Sequence, residues 1–436
     1  MQPAAEAFVV HGARTPFAKS GTDLASVPAH ELMRVVLREA LERSGFRPEE
    51  VDEVIVGNIA QPAEATNLAR VAALLAGVPE RVSAFTVNRN CASAMQAIAD
   101  AARRVRAGDA RVVLAGGTES MSRIPLLFSE EAKAAFFRLF RARSAGARLS
   151  ALLAFRPRHF KPVVALEVGL TDHTCGLNMG ETAELLAREF GISREEQDAF
   201  ALESHRRATE AWTAGRLAEE VVPVAIPPRY RKLVARDVGP RENQTLEALA
   251  KLRPYFDRRY GTVTVGNACP VTDGAVAVVV ASEELVRERG LPALGRIRSW
   301  GFAGLDPARM GLGPVYASAI ALGRAGLPLD AMEVVEINEA FAAQVLACLQ
   351  AFESADFARR HLDRDEPLGR VDPGRLNVNG GAIALGHPVG ATGARLVLTL
   401  LMEMARRGAR HGLATLCIGG GQGGAMVLER PEGMPS

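Results

Sequence analysis

The sequence predicts an α/β protein in which one α/β unit occurs twice. Short runs of β-branched residues alternate with Ala- and Leu-rich stretches of helical periodicity. Three short motifs of the first part of the chain return in the same order near its end. A region of different texture lies between them. We therefore expect two duplicated halves, residues 1–122 and 290–436, separated by an inserted loop domain, residues 123–289.

The elements of the first half follow from these patterns in chain order. Strands are expected at Ala7–Val10, Glu53–Val56, Phe85–Val87 and Val112–Ala115, and helices at His30–Ser44 and from Ala92 to about Arg106. Gly45, followed by Pro48, is typical of a helix end that leads into a turn.

The second half repeats three strand ends of the first half. Val54–Asn58 is echoed by Val334–Asn338, Thr86–Asn88 by Asn377–Asn379, and Val112–Gly117 by Ala414–Gly419. Three matches in the same order indicate a duplicated α/β half.

Composition excludes several classes of protein. The chain has 436 residues, enough for two or three domains, and its net charge of +2 gives no case for nucleic acid as a partner. Its five cysteines are widely spaced and form no CxxC pair, which argues against a disulfide framework or a zinc site. No secretory signal precedes the first strand, and the apolar stretch 275–281 is far shorter than the ~20 residues of a membrane span. We expect a soluble, cytoplasmic protein without a metal.

The first part of the loop domain has a basic amphipathic pattern. Residues 129–161 carry eight Lys or Arg against two Glu, and the apolar residues Phe136, Phe140, Leu149 and Leu152 recur at helical spacing. A basic amphipathic helix is typical of contact with a membrane surface or a partner protein. The alternative is a helix that covers the protein's own core and exposes a solvated basic face.

Cys91 is the first candidate for chemistry. It follows a predicted strand and a polar turn, at the start of a helix rich in small residues. The positive end of a helix favours thiolate, so we expect a lowered pKa and a nucleophile near neutral pH. The alternative is a small buried hydrophobic residue.

His387 lies in a glycine-rich segment, residues 379–393, where other groups can approach the backbone closely. It can act as a base or as a hydrogen-bond donor. The glycine spacing differs from the GxGxxG that follows a strand in dinucleotide sites, so we discount such a site.

Two further segments place polar groups at strand ends. Cys417 precedes a glycine run, which leaves a thiol and free backbone N–H groups that could hold an oxyanion. A structural glycine turn with an incidental cysteine is the alternative. Asn338 could position a water or a substrate oxygen, or it could be a helix N-cap.

These segments match a family. The chain resembles the thiolases over nearly its whole length, in the motifs NRNCASAMQA, GGTESMS, INEAFA, NGGAIALGHPVGATGAR and CIGGGQGGAMV. The resemblance implies the thiolase fold, in which the two halves form a five-layer αβαβα core, with a loop domain that binds coenzyme A. It also implies reversible thiolytic cleavage of 3-oxoacyl-CoA by a ping-pong mechanism, with CoA as substrate and no cofactor.

The resemblance also assigns roles to residues. Cys91 would become acylated, His387 would take its proton, and Cys417 would exchange a proton with the α-carbon of acetyl-CoA. One oxyanion hole would combine His387 with a water held by Asn338. The other would use the backbone N–H groups of Cys91 and Gly419. The residues that we expect to line the substrate tunnel are Met179, Cys269, Met310, Ala340 and Phe341.

A subgroup is suggested by the insertion at about 126–178. It resembles that of the β subunit of the fatty-acid oxidation trifunctional complex and its bacterial counterpart. That implies a role in β-oxidation, a homodimer or homotetramer, docking of a hydratase/dehydrogenase α subunit, and peripheral membrane contact. Asn338 departs from this subgroup, which usually has histidine there.

Three other functions compete with this interpretation. Biosynthetic acetoacetyl-CoA thiolases carry a histidine where this chain has Asn178, which argues against that specificity. Condensing 3-oxoacyl synthases put histidine or asparagine where Cys417 lies. A catalytically silent acyl-CoA-binding subunit would lack at least one catalytic side chain, whereas Cys91, His387, Asn338 and Cys417 are all present.

Overall fold

The computed structural model describes residues 6–430. Residues 1–5 and 431–436, the outer ends of the two predicted halves, lie outside the described residues. The fold is built on a ten-stranded mixed sheet, with helices on both of its faces.

The strands are, in chain order, β1 (Ala7–Arg14), β2 (Ala18–Lys19), β3 (Glu53–Gly57), β4 (Ser83–Val87), β5 (Val112–Glu119), β6 (Leu126–Leu127), β7 (Val163–Val164), β8 (Val224–Ala225), β9 (Leu233–Val234), β10 (Thr272–Ser282), β11 (Gly295–Gly304), β12 (Val334–Ile337), β13 (His411–Ile418) and β14 (Gln422–Glu429).

The helices are α1 (Ala29–Ser44), α2 (Leu68–Leu75), α3 (Ser93–Ala107), α4 (Glu130–Arg141), α5 (Ala145–Leu153), α6 (Ala165–Gly169), α7 (Met179–Glu189), α8 (Arg194–Thr213), α9 (Leu246–Ala250), α10 (Glu283–Arg289), α11 (Gly313–Ala325), α12 (Ala342–Glu353), α13 (Ala355–His361), α14 (Ala382–Leu385) and α15 (Thr392–Arg407). Short 3-10 turns cover Pro48–Glu50, Met121–Arg123, Pro157–Phe160, Pro307–Leu312 and Leu329–Ala331.

The strands and helices expected in the first half are confirmed, with small shifts at their ends. The strand expected at Ala7–Val10 continues to Arg14, and the helix expected from Ala92 begins at Ser93. The helix that ends at Ser44 is closed by Gly45, whose φ of 72° is readily reached by glycine.

The sheet consists of two halves with the same topology. In the first half the order is β4-β3-β5-β10-β1, and β3 runs parallel to both β4 and β5. In the second half the order is β12-β13-β14-β11, β12 runs parallel to β13, and Leu376 makes a parallel bridge to Val335 on the outer side of β12. The three echoed motifs therefore lie at equivalent places, and the predicted duplication is confirmed.

The two halves stack as five layers. Helices α1 and α2 cover the outer face of the first half of the sheet, and α11 covers that of the second half. Helices α3 and α15 pack against each other and against the inner faces of both halves. Strand β10 shows the alternation that this requires: Val276, Val278 and Val280 face the middle layer, and Ala277 and Val279 face α1. The predicted αβαβα core is confirmed.

The close packing of helices α3 and α15 in the middle layer depends on a glycine. A Cβ on Gly393 of α15 would lie 2.6 Å from the backbone nitrogen of Met95 in α3. The glycine therefore lets the two helix N-termini meet, and each of these helices begins next to a predicted catalytic segment.

Two expectations about the loop domain need correction. Strand β10, inside the predicted range 123–289, lies in the middle of the central sheet between β5 and β1, because its alternating Val and Ala residues are buried on both faces. The single basic helix expected over 129–161 is two helices, α4 and α5. Ser144 interrupts the pattern, since its side chain caps α5 by accepting a hydrogen bond from Ala147 N.

Among the described residues, none of the helices combines the length and the apolar character that crossing a membrane requires.

Candidate active site

Cys91 lies in a tight turn between β4 and α3. Asn90, just before it, has a φ of 44°, a left-handed conformation that asparagine tolerates better than most residues. The Ser93 hydroxyl donates to Asn90 O at 2.7 Å and accepts from Arg89 N at 2.9 Å, which fixes the turn. Helix α3 begins only at Ser93, so Cys91 precedes the helix.

The expected lowering of the Cys91 pKa is wrong. Burial raises the pKa of the Cys91 thiol above its ordinary value, and the nearby carboxylate of Glu119 adds to this. Hydrogen bonds from the backbone N–H groups of Gly419 and of Cys91 itself act in the opposite direction but do not outweigh burial. The thiol therefore rests protonated, and it needs a base before it can act as a nucleophile.

Cys417 stands at the end of β13, just before the turn that leads to β14. The turn is tied to the Cys91 segment, because Asn90 Nδ2 donates to Gly419 O at 2.7 Å. Burial raises the pKa of the Cys417 thiol well above its ordinary value, and the neighbouring thiols of Cys91, Cys348 and Cys269 raise it further. The fold thus brings together the two cysteines that the sequence predicted, one from each half.

His387 lies in the loop between α14 and α15. The loop turns at Gly386, whose φ of 107° disfavours any residue with a side chain. The backbone N–H of His387 donates to Pro270 O at 3.3 Å, and its Nδ1 lies 2.6 Å from Thr392 Oγ1. Burial, helped by the positive charge of Arg395, lowers the pKa of His387 to about 3. The imidazole is therefore neutral at physiological pH, and one of its ring nitrogens carries no proton.

Asn338 follows β12 and is fully buried. Its backbone N–H donates to Thr415 O at 3.0 Å, which fixes it beside β13. Neither Nδ2 nor Oδ1 has a hydrogen-bond partner among the described residues. Helix α12 begins at Ala342 with Phe341 at its N-cap, so Asn338 is not the cap of that helix. An unpaired buried amide is costly, and it is the kind of group that holds a water or a ligand oxygen.

The residues expected to line the tunnel gather around Cys417. Met179, Met310, Ala340 and Phe341 share one apolar cluster with it, and Phe256 packs against Phe341 at 5.9 Å between ring centroids.

Cys269 is attached to the same cluster, through a backbone hydrogen bond from its N–H to Ala340 O at 3.0 Å. Burial, with the nearby Cys91, raises the pKa of its thiol to about 12. The segment Cys269–Pro270 therefore connects two segments of the site by backbone hydrogen bonds. Cys269 bonds Ala340, two residues after Asn338, and Pro270 bonds His387.

The other two cysteines, Cys348 and Cys175, are not among the predicted site residues. Cys348 is buried in α12, and its thiol donates to Gly311 O at 3.1 Å. Cys175 is half-buried and precedes α7, whose N-cap is Asn178. Among residues 6–430, no three His, Cys, Asp or Glu side chains are grouped so that they could hold a metal ion.

Four residues around the site were not singled out from the sequence: Asn90, Glu119, Thr392 and Arg395. All of them lie inside the family-like motifs, so the motifs marked the segments. Their roles depend on contacts between segments that are distant in the chain, such as Asn90 with Gly419, and no local pattern shows these contacts.

The arrangement can carry out acyl transfer. It holds a protonated thiol beside two backbone N–H groups, a neutral imidazole, a second buried thiol and an unpaired amide. A nucleophile, a base, a second acid/base group and oxyanion donors are the parts that acyl transfer with carbon–carbon bond chemistry needs.

Comparison with known proteins agrees with this chemistry. Residues 7–284 match the family model "Thiolase, N-terminal domain", and residues 291–430 match "Thiolase, C-terminal domain". The chain is 44% identical over 422 residues to the 3-ketoacyl-CoA thiolase of Yersinia pestis (strain Pestoides F), covering 97% of this chain and 96% of that relative.

Solved structures give the same result. Acetyl-CoA acetyltransferase of Bacillus anthracis superposes with a TM-score of 0.86 at 38% identity, over 98% of this chain and 100% of that one. Human mitochondrial 3-ketoacyl-CoA thiolase in complex with CoA superposes with a TM-score of 0.84 at 38% identity, over 98% and 99% of the two chains.

Proposed function

The chain belongs to the thiolase family, and from this premise we propose that it catalyses the reversible thiolytic cleavage of 3-oxoacyl-CoA by CoA, giving acyl-CoA and acetyl-CoA. It is an acyltransferase. The observation that carries the proposal is the meeting of the two halves: the Cys91 thiol of one half faces the Gly419 N–H, two residues after Cys417 of the other half.

The first half-reaction begins with Cys91. His387 Nε2 takes the proton of the Cys91 thiol, and the sulfur attacks the 3-oxo carbon of the substrate. The backbone N–H groups of Cys91 and Gly419 receive the charge that develops on that oxygen. The base is needed because burial keeps the free thiol protonated.

Cleavage of the carbon–carbon bond follows. The bond between C2 and C3 breaks, and its electron pair forms the enolate of acetyl-CoA. The enolate oxygen faces His387 Nε2–H and a water held by Asn338. Cys417 gives its proton to C2, and acetyl-CoA leaves. Each fixed donor at such an oxygen can lower the barrier by about 3 kcal/mol.

The second half-reaction restores the enzyme. The thiol of a new CoA gives its proton to the Cys417 thiolate, and its sulfur attacks the acyl group on Cys91. Acyl-CoA leaves, and the released Cys91 sulfur regains its proton from His387. All protons are then back where they began.

The substrate tunnel is the apolar cluster around Cys417, formed by Met179, Met310, Ala340 and Phe341 with the adjoining Cys269. Apolar walls suit the pantetheine arm and the acyl chain, and they exclude bulk water from the site. One of the similar solved structures is a complex with CoA, which supports CoA as a substrate of this chain.

The decisive experiment is a thiolysis assay of the purified protein with 3-oxoacyl-CoA substrates of increasing chain length. A role in β-oxidation predicts turnover of substrates longer than acetoacetyl-CoA, in line with Asn178 as a helix cap before Met179. Activity with acetoacetyl-CoA alone would instead favour the biosynthetic type. Complete inactivity together with tight acyl-CoA binding would favour a silent binding subunit.

The insertion at about 126–178 is proposed to contact a membrane surface or an α subunit. Its outward apolar side chains include Phe140, which is 89% exposed, and Leu153, which is 77% exposed. Of its eight Lys and Arg residues over 129–161, only Lys133 and Arg158 have a carboxylate partner among the described residues. Exposed apolar and basic side chains together favour an anionic surface.

Sedimentation with anionic and with uncharged lipid vesicles tests this. Binding should weaken with salt and in the variant Arg138→Glu/Arg141→Glu, while thiolysis stays unchanged. Replacing Arg359 and Arg364 by Glu is the matched control, because both are exposed and have no carboxylate partner among the described residues. Equal sedimentation of all variants at all salt concentrations would contradict the membrane role.

We also propose a homodimer, which could pair further into a homotetramer. Strand β4 is the outer strand of the first half of the sheet, it is mostly half-exposed, and it leads directly into the Cys91 turn. A second copy at this edge would cover the strand and support the turn. Light scattering across a dilution series tests the association.

A further inference from the structure

His387 can take a proton from Cys91 only if its Nε2 is free, and a neutral imidazole has a proton on just one nitrogen. We propose that Thr392 is a positioning residue that holds the ring proton of His387 on Nδ1 and so leaves Nε2 free. This inference rests on the proposed function, in which His387 is the base for Cys91.

The hydrogen bonds around Thr392 carry the argument. Its Oγ1 lies 2.6 Å from His387 Nδ1 and 3.0 Å from the carbonyl oxygen of Pro388. A carbonyl oxygen can only accept, so the single hydroxyl proton goes to Pro388 O. The oxygen of the hydroxyl is then left as an acceptor toward the ring, and His387 Nδ1 must supply the proton between them.

The fold restricts the Thr392 hydroxyl to this arrangement. Thr392 is fully buried and is the first residue of α15, four residues after Pro388. A threonine in a helix has a rotamer in which its hydroxyl bonds the carbonyl four residues earlier, and Thr392 adopts it. Pro388 O also accepts the backbone N–H of Ala391 at 2.8 Å and of Thr392 at 3.1 Å, so the first turn of α15 is anchored on this carbonyl.

The same contact fits the rest of the catalytic cycle. After His387 takes the Cys91 proton, both ring nitrogens carry protons, and the bond from Nδ1–H to Thr392 Oγ1 is unchanged. Nε2–H can then donate to the enolate oxygen without any rotation of the ring. The charged groups that face the ring include Arg395, one turn further along α15, which helps to keep the resting imidazole neutral.

Three variants test the role. Thr392→Val removes the acceptor but keeps the shape, and Thr392→Ser keeps the hydroxyl. Thr399→Val, two turns along the same helix, removes a buried hydroxyl that donates to Glu220 Oε2 at 3.0 Å, and it serves as the matched control. We would measure single-turnover acylation of Cys91 by acetyl-CoA. In parallel, ¹⁵N NMR of histidine-labelled protein would report the tautomer, with the His387 signal assigned from its absence in His387→Asn.

In Thr392→Val we expect acylation to slow by about 100-fold, with the Kd for acetyl-CoA within about twofold of wild type, because the fraction of the productive tautomer falls. Thr392→Ser should stay within about fivefold and Thr399→Val within about twofold of wild type. The wild-type spectrum should show His387 protonated on Nδ1.

Protonation of His387 on Nε2 in the resting wild type would overturn the inference, and so would normal acylation in Thr392→Val. If the wild-type protein itself shows no acylation, the proposed function fails. The tautomer measured by NMR would still decide, in that case, whether Thr392 sets the proton position.

Discussion

The ends of strands β3 and β12 are equivalent in the two halves, and each is followed by a fully buried asparagine. In the first half, Asn58 Nδ2 donates to Glu119 Oε1 at 2.9 Å and to Thr118 O at 3.0 Å. In the second half, the side-chain amide of Asn338 has no partner among the described residues. Asn58 therefore stabilises the fold through its side-chain hydrogen bonds, whereas the side chain of Asn338 is available to bind a ligand.

Glu119 explains the difference. Besides Asn58, its carboxylate accepts the backbone N–H groups of Ile59 and Ala60, each at 3.0 Å, and so closes the strand end with a side chain. In the second half, the strand equivalent to β5 leads into the glycine turn after Cys417, which has no side chain to fill the space. The same strand end therefore stabilises the fold in the first half, whereas in the second half it leaves a polar side chain available for the reaction.

The largest effect is expected from Cys91→Ala. The first half contributes the nucleophile, so this variant should lose acyl-enzyme formation and thiolysis completely. Mass spectrometry after incubation with acetyl-CoA measures the acyl group, and Cys175→Ala, at a half-buried cysteine before α7, is the control. Acylation of Cys91→Ala at another residue would assign the nucleophile elsewhere.

Cys417→Ala should separate the two steps. Acylation of Cys91 from acetyl-CoA should persist within about tenfold, while carbon–carbon cleavage falls by about 10³-fold, because the acid for C2 is gone. Single-turnover acylation and steady-state thiolysis measure the two rates. An equal loss of both would contradict a division of labour between the halves.

The two asparagines should respond differently to substitution. Asn338→Ala should reduce kcat by about 10 to 100-fold with little loss of stability, because its amide makes no bond that the fold requires. Asn58→Ala should lower the free energy of unfolding by about 1–3 kcal/mol, because it removes a donor to the buried Glu119. Urea unfolding and kcat would be measured on both variants. A loss of stability in Asn338→Ala together with a loss of kcat alone in Asn58→Ala would contradict the comparison.

The smallest effect is a pH dependence of stability from Glu119. Burial raises the pKa of its carboxyl to about 7, from 4.5, so the native state binds more protons than the unfolded chain between these values. The contribution of Glu119 to the free energy of unfolding is fully present below about pH 4.5 and is lost as the pH rises through 7. The unfolding free energy of wild type minus that of Glu119→Gln should therefore fall from pH 5 to 8. Glu130→Gln, at a side chain that is 86% exposed, is the control.

Much of this could be predicted from the sequence. β-Branched runs located the core strands of the first half, and the repeated order of motifs predicted the duplicated topology, because strand ends carry their patterns locally. Cys91, Asn338 and Cys417 stood out because each lies where a predicted strand ends, and His387 stood out because it lies in a glycine-rich segment. The role of Gly419 came from the family resemblance.

What could not be predicted depends on contacts across the chain. The pKa of Cys91 is set by burial against groups of the other half, so the local helix argument gave the wrong direction. Strand β10 lies inside the range 123–289 that we expected for the loop domain, whereas it pairs with β5 and β1. The break between α4 and α5 could have been predicted from Ser144, because serine is a common helix N-cap and caps α5 here. The apolar periodicity continues across this position and indicated a single helix.

The close meeting of α3 and α15 at Gly393 also limits how this enzyme can be divided. Each half leaves its inner face and its middle helix bare unless the other half covers them, since one apolar core spans both. Cutting the chain between α10 and β11 should yield two fragments that precipitate when expressed separately and regain activity only when co-expressed. The two halves therefore behave like the subunits of a dimer within one chain, and the active site forms only when they fold against each other.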